Sequence, residues 1–137
     1  MATTCCARRF CCTPARSPSP PLTCVAFSPY VAGYNPATGP HPPAALIEQL
    51  LDRLIQQTST TCVMTYGVLH GLDASFAAAR RRGLQVVATI WLDADPVVND
   101  ASVTAGVAAA LAYPDTIVRL SCGSEVRTRH GTSLDAA

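Results

Sequence analysis

The sequence predicts an α/β domain built on a parallel β-sheet. Four short runs rich in β-branched and other apolar residues recur along the chain, and helical patterns lie between them. This alternation indicates parallel strands, because each right-handed crossover needs a helix to return the chain to the same edge of the sheet. The chain has 137 residues, of which 49% are hydrophobic, so it can bury one modest core and has no room for a second domain of ordinary size.

The predicted strands cover residues 23–27, 61–66, 84–91 and 116–122. The third run is almost continuously apolar, as expected of a parallel strand covered on both faces. The first run is followed by residues 28–43, where Gly33, Gly39 and several prolines exclude a regular strand or helix. The length of this segment favours a functional loop.

The clearest helical pattern covers residues 44–57. Its apolar side chains form one stripe, made of Leu46, Ile47, Leu50, Leu51, Leu54 and Ile55. A second helix is predicted to start near Asp73, a residue type that accepts the free amide hydrogens of a first turn, and to stop at Gly83. A third is predicted over residues 102–112 and is closed by Pro114.

Two architectures fit this order of elements. A doubly wound open sheet normally carries a glycine-rich turn after its first strand, and none follows residues 23–27. A (β/α)8 barrel is therefore preferred, but it needs about 250 residues. We expect residues 22–137 to form the N-terminal half of such a barrel, with four βα units. Residues 1–21 form a low-complexity segment rich in Cys, Pro and Ser, for which we expect disorder.

Charge and hydropathy exclude several classes of partner. The formal net charge is +1, which does not produce the strong positive field of a nucleic-acid binder. The chain has no run of about 18 apolar residues, so no transmembrane helix is expected. The N-terminal segment has no uninterrupted apolar stretch typical of a secretory signal, and the sequence leaves the compartment open.

The seven cysteines favour no metal site. Cys5, Cys6, Cys11 and Cys12 form adjacent pairs without the CxxC spacing of zinc ligands, although thiolate ligation of zinc or copper stays an alternative. The other three, Cys24, Cys62 and Cys122, lie in apolar runs, where a free thiol usually acts as a small buried hydrophobe.

Other candidate ligand residues also lack the spacing of a known metal site. Asp93, Asp95, Asn99 and Asp100 resemble a calcium loop only loosely, so helix-capping and surface roles are expected for them. His41, His70 and His130 lie in separate loop contexts without the HxxxH spacing of a helical metal site. We expect neither a metal nor a cofactor.

Short motifs lie at or just after the carboxyl end of each predicted strand, which is the end of a barrel where chemistry takes place. They are Ser28-Pro29-Tyr30, Val63-Met64-Thr65-Tyr66-Gly67, Ile90-Trp91-Leu92 and Gly123-Ser124-Glu125-Val126. Their order and spacing resemble those of glycoside hydrolase family 17, the β-1,3-glucanase-like enzymes, over about residues 24–129. Each motif alone is a weak signal, and the resemblance depends on their ordered coincidence.

The resemblance implies a retaining hydrolase or transglycosylase acting on β-1,3-glucan. Glu125 matches the general acid/base of the family, which protonates the leaving sugar oxygen. Tyr30, Tyr66 and Trp91 are candidate platforms for the apolar faces of sugar rings, with core packing as the alternative for each. Ser124 stands where the family has an Asn that contacts the sugar.

The chain also departs from the family pattern. The family nucleophile follows the seventh barrel strand, which these 137 residues do not contain. Met64 stands where the family usually has Arg, and Ser124 replaces the Asn. The resemblance therefore implies an incomplete fragment that is inactive alone and self-associates through open barrel edges. A noncatalytic, degenerate glucan-binding module is the alternative.

Overall fold

The computed structural model describes residues 24–124, which form one four-stranded sheet and three helices. The strands are β1 (Cys24–Phe27), β2 (Cys62–Thr65), β3 (Gln85–Ile90) and β4 (Ile117–Cys122), and the helices are α1 (Ala44–Thr58), α2 (Ala74–Arg81) and α3 (Pro96–Ala112). All pairs of strands are parallel. The predicted α/β class and parallel sheet are confirmed, whereas the segment 1–21 and Glu125 lie outside the described residues.

The strands lie in the order β1-β2-β3-β4, so every crossover connects direct neighbours and moves in the same direction. With right-handed crossovers, this order places all the helices on one face of the sheet. The core agrees, since one cluster joins residues of all three helices to alternate strand residues. Its members include Ile47, Leu51, Phe76, Ala79, Ala105, Val63, Val86 and Ala88. Within residues 24–124 the strand order has no reversal of the doubly wound type.

Helix α1 follows from its apolar stripe, of which Ile47 and Leu51 are fully buried. The helix spans Ala44–Thr58, one residue beyond its predicted end. Ser59 adopts a left-handed conformation, with φ 54°, and its amide donates to the carbonyl of Ile55. This αL residue closes the helix in the usual way.

Helix α3 begins six residues before its predicted start. Asp95 is the N-cap, its carboxylate accepts a hydrogen bond of 2.8 Å from the amide of Val97, and Pro96 opens the first turn. Asp followed by Pro is a favoured helix start, so the capping role expected for this acidic segment is confirmed at Asp95. The prediction failed at the boundary because Val97 and Val98, both exposed, do not fit an amphipathic stripe.

Helix α2 starts at Ala74 as predicted, but the expected cap is wrong. Asp73 is itself helical, with φ −55° and ψ −35°, and its side chain makes no capping hydrogen bond. The amides of Ala74 and Ser75 donate instead to the carbonyls of Gly71 and Leu72. The preceding turn therefore takes the place of a side-chain cap.

The expectation for the core cysteines also needs correction. Cys24 and Cys62 form a disulfide rather than two free thiols, because the parallel register of β1 and β2 places them opposite each other with Cα atoms 4.4 Å apart. Cys122 is a free cysteine, but it is exposed rather than buried. The disulfide depends on the register between β1 and β2, which the spacing of the cysteines along the chain does not show.

An ion-pair cluster joins α1 to the end of α2. Arg82 forms two hydrogen bonds with the carboxylate of Asp52, of 2.6 and 2.8 Å, and its side chain is only 15% exposed. Arg81, the last residue of α2, forms an ion pair with Glu48 of α1. The hydrogen bond from Arg82 is the main cause of a lowered pKa at Asp52. The fork geometry makes the Arg82 pair more specific than an ordinary surface ion pair.

Apolar side chains are accessible beside β1 and on α3. Beside β1 there is a groove of about 220 Å³, whose walls combine Phe27, Leu50 and Leu54 with the polar residues Ser28, Arg53 and Gln57. Helix α3 exposes Val103, Val107 and Leu111, the last with 77% of its surface accessible. No helix among residues 24–124 combines the length and the hydropathy needed to cross a bilayer.

Gly106 fixes how closely α3 approaches the sheet. It is buried in the middle of the helix, and a Cβ atom placed there would lie 2.7 Å from Cγ1 and 2.8 Å from Cδ1 of Ile90. Alanine favours a helix by about 1 kcal/mol over glycine. Glycine is nevertheless required here, because β3 occupies the space of a methyl group.

Gly106→Ala should therefore destabilise the protein despite the better helix propensity. Overpacking costs about 1–3 kcal/mol, so the net loss in free energy of unfolding is expected to be about 1 kcal/mol. Denaturant unfolding of the single variants and of Gly106→Ala combined with Ile90→Ala gives the coupling between the two sites. The glycine substitution should cost less when Ile90 is already truncated, and additive effects would contradict the steric explanation.

The Asp52–Arg82 pair should make stability depend on acid pH. The pKa of Asp52 is lowered in the folded state, so its contribution is fully present above the unfolded pKa of about 3.9 and is lost as the pH falls through the lower folded value. Asp52→Asn should make the melting temperature fall less steeply below pH 5. At a pH below the folded pKa of Asp52, the melting temperatures of the variant and the wild type should be similar. Asp115→Asn, which removes a carboxylate outside this cluster, is the control. Identical pH profiles for wild type and Asp52→Asn would contradict the assignment.

Candidate functional site

A cavity of about 450 Å³ lies beyond the carboxyl ends of β1, β2 and β3. Its volume is within the range of about 300–1,000 Å³ that is usual for small-molecule sites. The walls come from the loops that follow the three strands and from the first turns of α3. The lining residues are Ser28, Tyr30, Pro36, Ala37, Tyr66, Gly67, Val68, Leu69, His70, Leu72, Trp91, Asp93, Val98 and Ser102.

The three aromatic residues singled out in the sequence all line this cavity. Tyr30 follows β1, Tyr66 follows β2 and Trp91 follows β3, so parallel pairing of the strands brings them to one end of the sheet. Tyr66 is 43% exposed, and Tyr30 and Trp91 are half-buried. None of the three belongs to the hydrophobic core cluster. The structure therefore places all three rings around one space.

Tyr30 connects the first two loops of the cavity. Its hydroxyl donates a hydrogen bond of 3.0 Å to the carbonyl oxygen of His70. Burial raises the pKa of this hydroxyl above its ordinary value, and the negative charge of Asp73 adds to the effect. The tyrosine therefore stays protonated at neutral pH and remains a hydrogen-bond donor.

Residues 69–72 form a tight turn at the cavity wall. The amide of Leu72 donates to the carbonyl of Leu69 at 3.1 Å, and both central residues have positive φ, 60° at His70 and 88° at Gly71. Turns of this kind favour Asn-Gly, because their central residues occupy the left-handed region. A Cβ atom at Gly71 would also lie 3.2 Å from the carbonyl oxygen of Pro42. Glycine is thus required at the second position.

His70 packs against the loop that precedes α1. Its ring centroid is 5.0 Å from that of His41, with the planes tilted by 47°. No sequence pattern joins these residues, since they lie in separate loops. Their contact depends on the parallel pairing of β1 with β2 and on the close approach of Gly71 to Pro42. Sequence reasoning missed His70 as a cavity residue, and the unusual His-Gly pair in a turn is the signal that identifies the position.

Asp93 and Asn99 hold the third wall. The amide of Asp93 donates to the Asn99 side chain at 2.6 Å, and the Asn99 amide group donates back to the Asp93 carbonyl at 2.9 Å. The Asp93 carboxylate accepts from the amide of Ala94 at 2.7 Å. These bonds fix the segment between Trp91 and α3. They give Asp93 and Asn99 a structural role rather than that of calcium ligands.

Ser124, another candidate residue from the sequence, lies apart from the cavity wall. Ser124 is half-buried just after β4 and does not line the cavity. Gly123, one residue earlier, donates its amide to the carbonyl of Ile90 at 2.9 Å, which fixes the carboxyl end of β4 beside that of β3. Glu125 is the next residue along the chain and lies outside the described part.

The cavity combines aromatic and apolar walls with a few polar groups, which suits a ligand with both apolar faces and hydroxyl groups. Residues 24–124 contain no cluster of three or more His, Cys, Asp or Glu side chains arranged to hold a metal ion. The described cavity also holds no pair of carboxylates, since Asp93 is its only acidic wall residue.

Tyr30→Phe should loosen the wall between the first two loops. Removal of the hydroxyl eliminates the hydrogen bond to the His70 carbonyl, at an expected cost of about 1 kcal/mol in free energy of unfolding. Amide hydrogen exchange should also become faster at Leu72. Tyr66→Phe is the matched control, because the Tyr66 ring lies in the same cavity and is more exposed. Equal effects of the two substitutions would show that the Tyr30 hydrogen bond does not hold the turn.

Comparison of this chain with protein-family models, curated proteins and solved structures finds no match. The resemblance to family 17 glycoside hydrolases therefore depends on the ordered motifs after the four strands. Three of those motifs contribute residues to the cavity wall.

Proposed function

We propose that this chain is the N-terminal half of a (β/α)8 barrel glycoside hydrolase that acts on β-1,3-glucan. The reaction would be retaining hydrolysis or transglycosylation. In this proposal Tyr30, Tyr66 and Trp91 contact sugar rings, and Glu125 is the general acid/base. The covalent nucleophile would come from a second half-barrel.

The observation that carries the proposal is the convergence of the three aromatic residues. Each belongs to a separate motif, and the motifs are spread from Tyr30 to Trp91 along the sequence, yet all three residues line one cavity. The cavity lies at the carboxyl ends of parallel strands, where barrel enzymes hold their substrates. Pyranose rings present apolar C–H faces that pack on aromatic rings.

The form of the sheet supports a half-barrel. Sequential strand order with all helices on one face is the winding of a (β/α)8 barrel. The opposite face, which would face the barrel interior, has no helix among the described residues. The apolar surfaces beside β1 and on α3 are also expected, because further βα units would cover both edges.

Glu125 would act by giving a proton to the leaving sugar oxygen. It directly follows Ser124, and β4 ends at the same edge of the sheet as the strands that carry the cavity. A retaining mechanism needs a second carboxylate about 5–5.5 Å away to form the glycosyl-enzyme. The described residues that line the cavity do not provide that pair, so in this proposal the second carboxylate comes from the other half-barrel.

A reconstituted barrel tests this proposal. The 137-residue chain alone should hydrolyse laminarin only at trace rates, whereas its fusion to the C-terminal half-barrel of a family 17 enzyme should restore turnover. In the fusion, Glu125→Gln should lower kcat by about 10²–10⁴-fold on substrates with poor leaving groups, because the amide cannot donate the proton. Met64→Arg and Ser124→Asn should raise the rate, since they restore the family pattern.

The control is Glu48→Gln, which changes a carboxylate in the α1–α2 ion-pair cluster and should leave turnover unchanged. Efficient hydrolysis by the unaided chain would contradict the proposal, as would a reconstituted rate that is the same with Gln at position 125. Either result would place the chemistry on other residues.

A noncatalytic glucan-binding module is the second candidate. It is favoured by the cavity itself, whose described lining lies within residues 28–102 and does not include Ser124. Met64 and Ser124 also depart from the residues that the family uses around the reaction centre. A module of this kind would bind β-1,3-glucan oligosaccharides with an affinity that Glu125→Gln leaves unchanged, and its fusion to a C-terminal half-barrel would restore no turnover.

A further inference from the structure

His70 has a backbone conformation that ordinary residues avoid. Its φ is 60°, in the left-handed region, which is uncommon for residues other than glycine, although histidine adopts it more often than most of them. Among the described residues, only Ala32, Ser59 and His70 are non-glycine residues with positive φ, and of these only His70 lines the cavity. Local strain of this kind persists where the surroundings impose it, and it is concentrated at functional sites.

The turn itself does not require an imidazole. Its hydrogen bond from Leu72 to Leu69 and the bond from the Tyr30 hydroxyl both involve backbone carbonyls. Asn or Gly at position 70 would fit the positive φ better than His does. The side chain therefore adds nothing to the turn that a less strained residue would not provide.

The imidazole is polar and His70 is exposed, so its ring nitrogens are accessible to a ligand as well as to water. Its ring packs on His41, and no hydrogen bond within residues 24–124 involves its nitrogens. The surrounding wall is mainly apolar, with Val68, Leu69 and Leu72 from the same loop. Isolated polar groups in such walls are the ones that orient a ligand.

We infer that His70 is a ligand-contacting residue that selects hydroxyl-bearing ligands in this cavity. The ring contact with His41 fixes one side of the imidazole, so that a ring nitrogen can donate to or accept from a hydroxyl group of a bound sugar. The aromatic rings of Tyr66 and Trp91 contact the apolar faces of that sugar. This inference rests on the proposed function, since a β-1,3-glucan chain is the ligand that it assigns.

Substitution by residues that prefer the left-handed conformation tests the inference without disturbing the turn. Isothermal titration calorimetry of the full 137-residue chain with laminarihexaose measures affinity, and thermal unfolding measures stability. His70→Gly should weaken binding by about fivefold or more, the loss expected for one hydrogen bond to a ligand. The melting temperature should be equal or higher, because glycine relieves the strain. His70→Asn keeps a shorter polar group and should lie between wild type and His70→Gly in affinity.

Ser59→Gly is the matched control. Ser59 has nearly the same positive φ, 54°, at the end of α1, and it lies outside the cavity lining. This substitution should raise the melting temperature and leave affinity for laminarihexaose unchanged. A gain in stability at both positions, with a loss of binding at position 70 alone, is the result expected for a binding residue.

Three other results would overturn the inference. Unchanged affinity in His70→Gly would show that the imidazole does not contact the ligand. A lower melting temperature in His70→Gly, beside a higher one in Ser59→Gly, would give His70 a structural role. No binding of laminarihexaose by the wild-type chain would refute the proposed function and the ligand assigned to His70 together, which distinguishes that failure from the first two.

Discussion

Parallel pairing of sequential strands is the constraint on which the rest of this structure depends. Because β1 to β4 lie side by side in chain order, each connection has to cross over the same face, and α1, α2 and α3 share one core. The same order directs every strand toward the same edge. Loops that are far apart in the sequence therefore meet there, and the cavity is a direct consequence of the strand order.

The sequence predicted the elements well where one periodic signal dominated. The stripe around Ile47 and Leu51 located α1 to within one residue, and the apolar run of β3 identified a covered strand. It failed for α3, whose first turn is exposed and is specified by a cap and a proline rather than by apolar spacing. The capping hydrogen bond of Asp95 sets the start of this helix.

Contacts across the sheet were harder to predict than elements. The Cys24–Cys62 disulfide requires knowledge of which residues are opposite in β1 and β2, and no pattern in a single strand contains that register. The same limit explains why His70 was not selected for the site. Its importance comes from a turn conformation and from a neighbour in another loop, both of which are properties of the folded chain.

The core is held by close packing of side chains, whereas the cavity walls are held by hydrogen bonds to the backbone. In the core, Gly106 and Ile90 meet so closely that one methyl group decides the packing. At the cavity, hydrogen bonds from Tyr30 and between Asp93 and Asn99 fix the backbone of the walls, while Tyr66 and Trp91 remain partly exposed. A rigid frame with accessible side chains allows a ligand to bind with little ordering of the protein.

Trp91 gives this arrangement a spectroscopic consequence. It is the only tryptophan in the chain, and it lies in the wall of the cavity. Indole emission responds to the polarity and hydration around the ring, so the intrinsic fluorescence of the protein originates at the site of interest and carries no background from other indoles. The native chain thus contains its own optical probe, and occupancy of the cavity can be followed without a label.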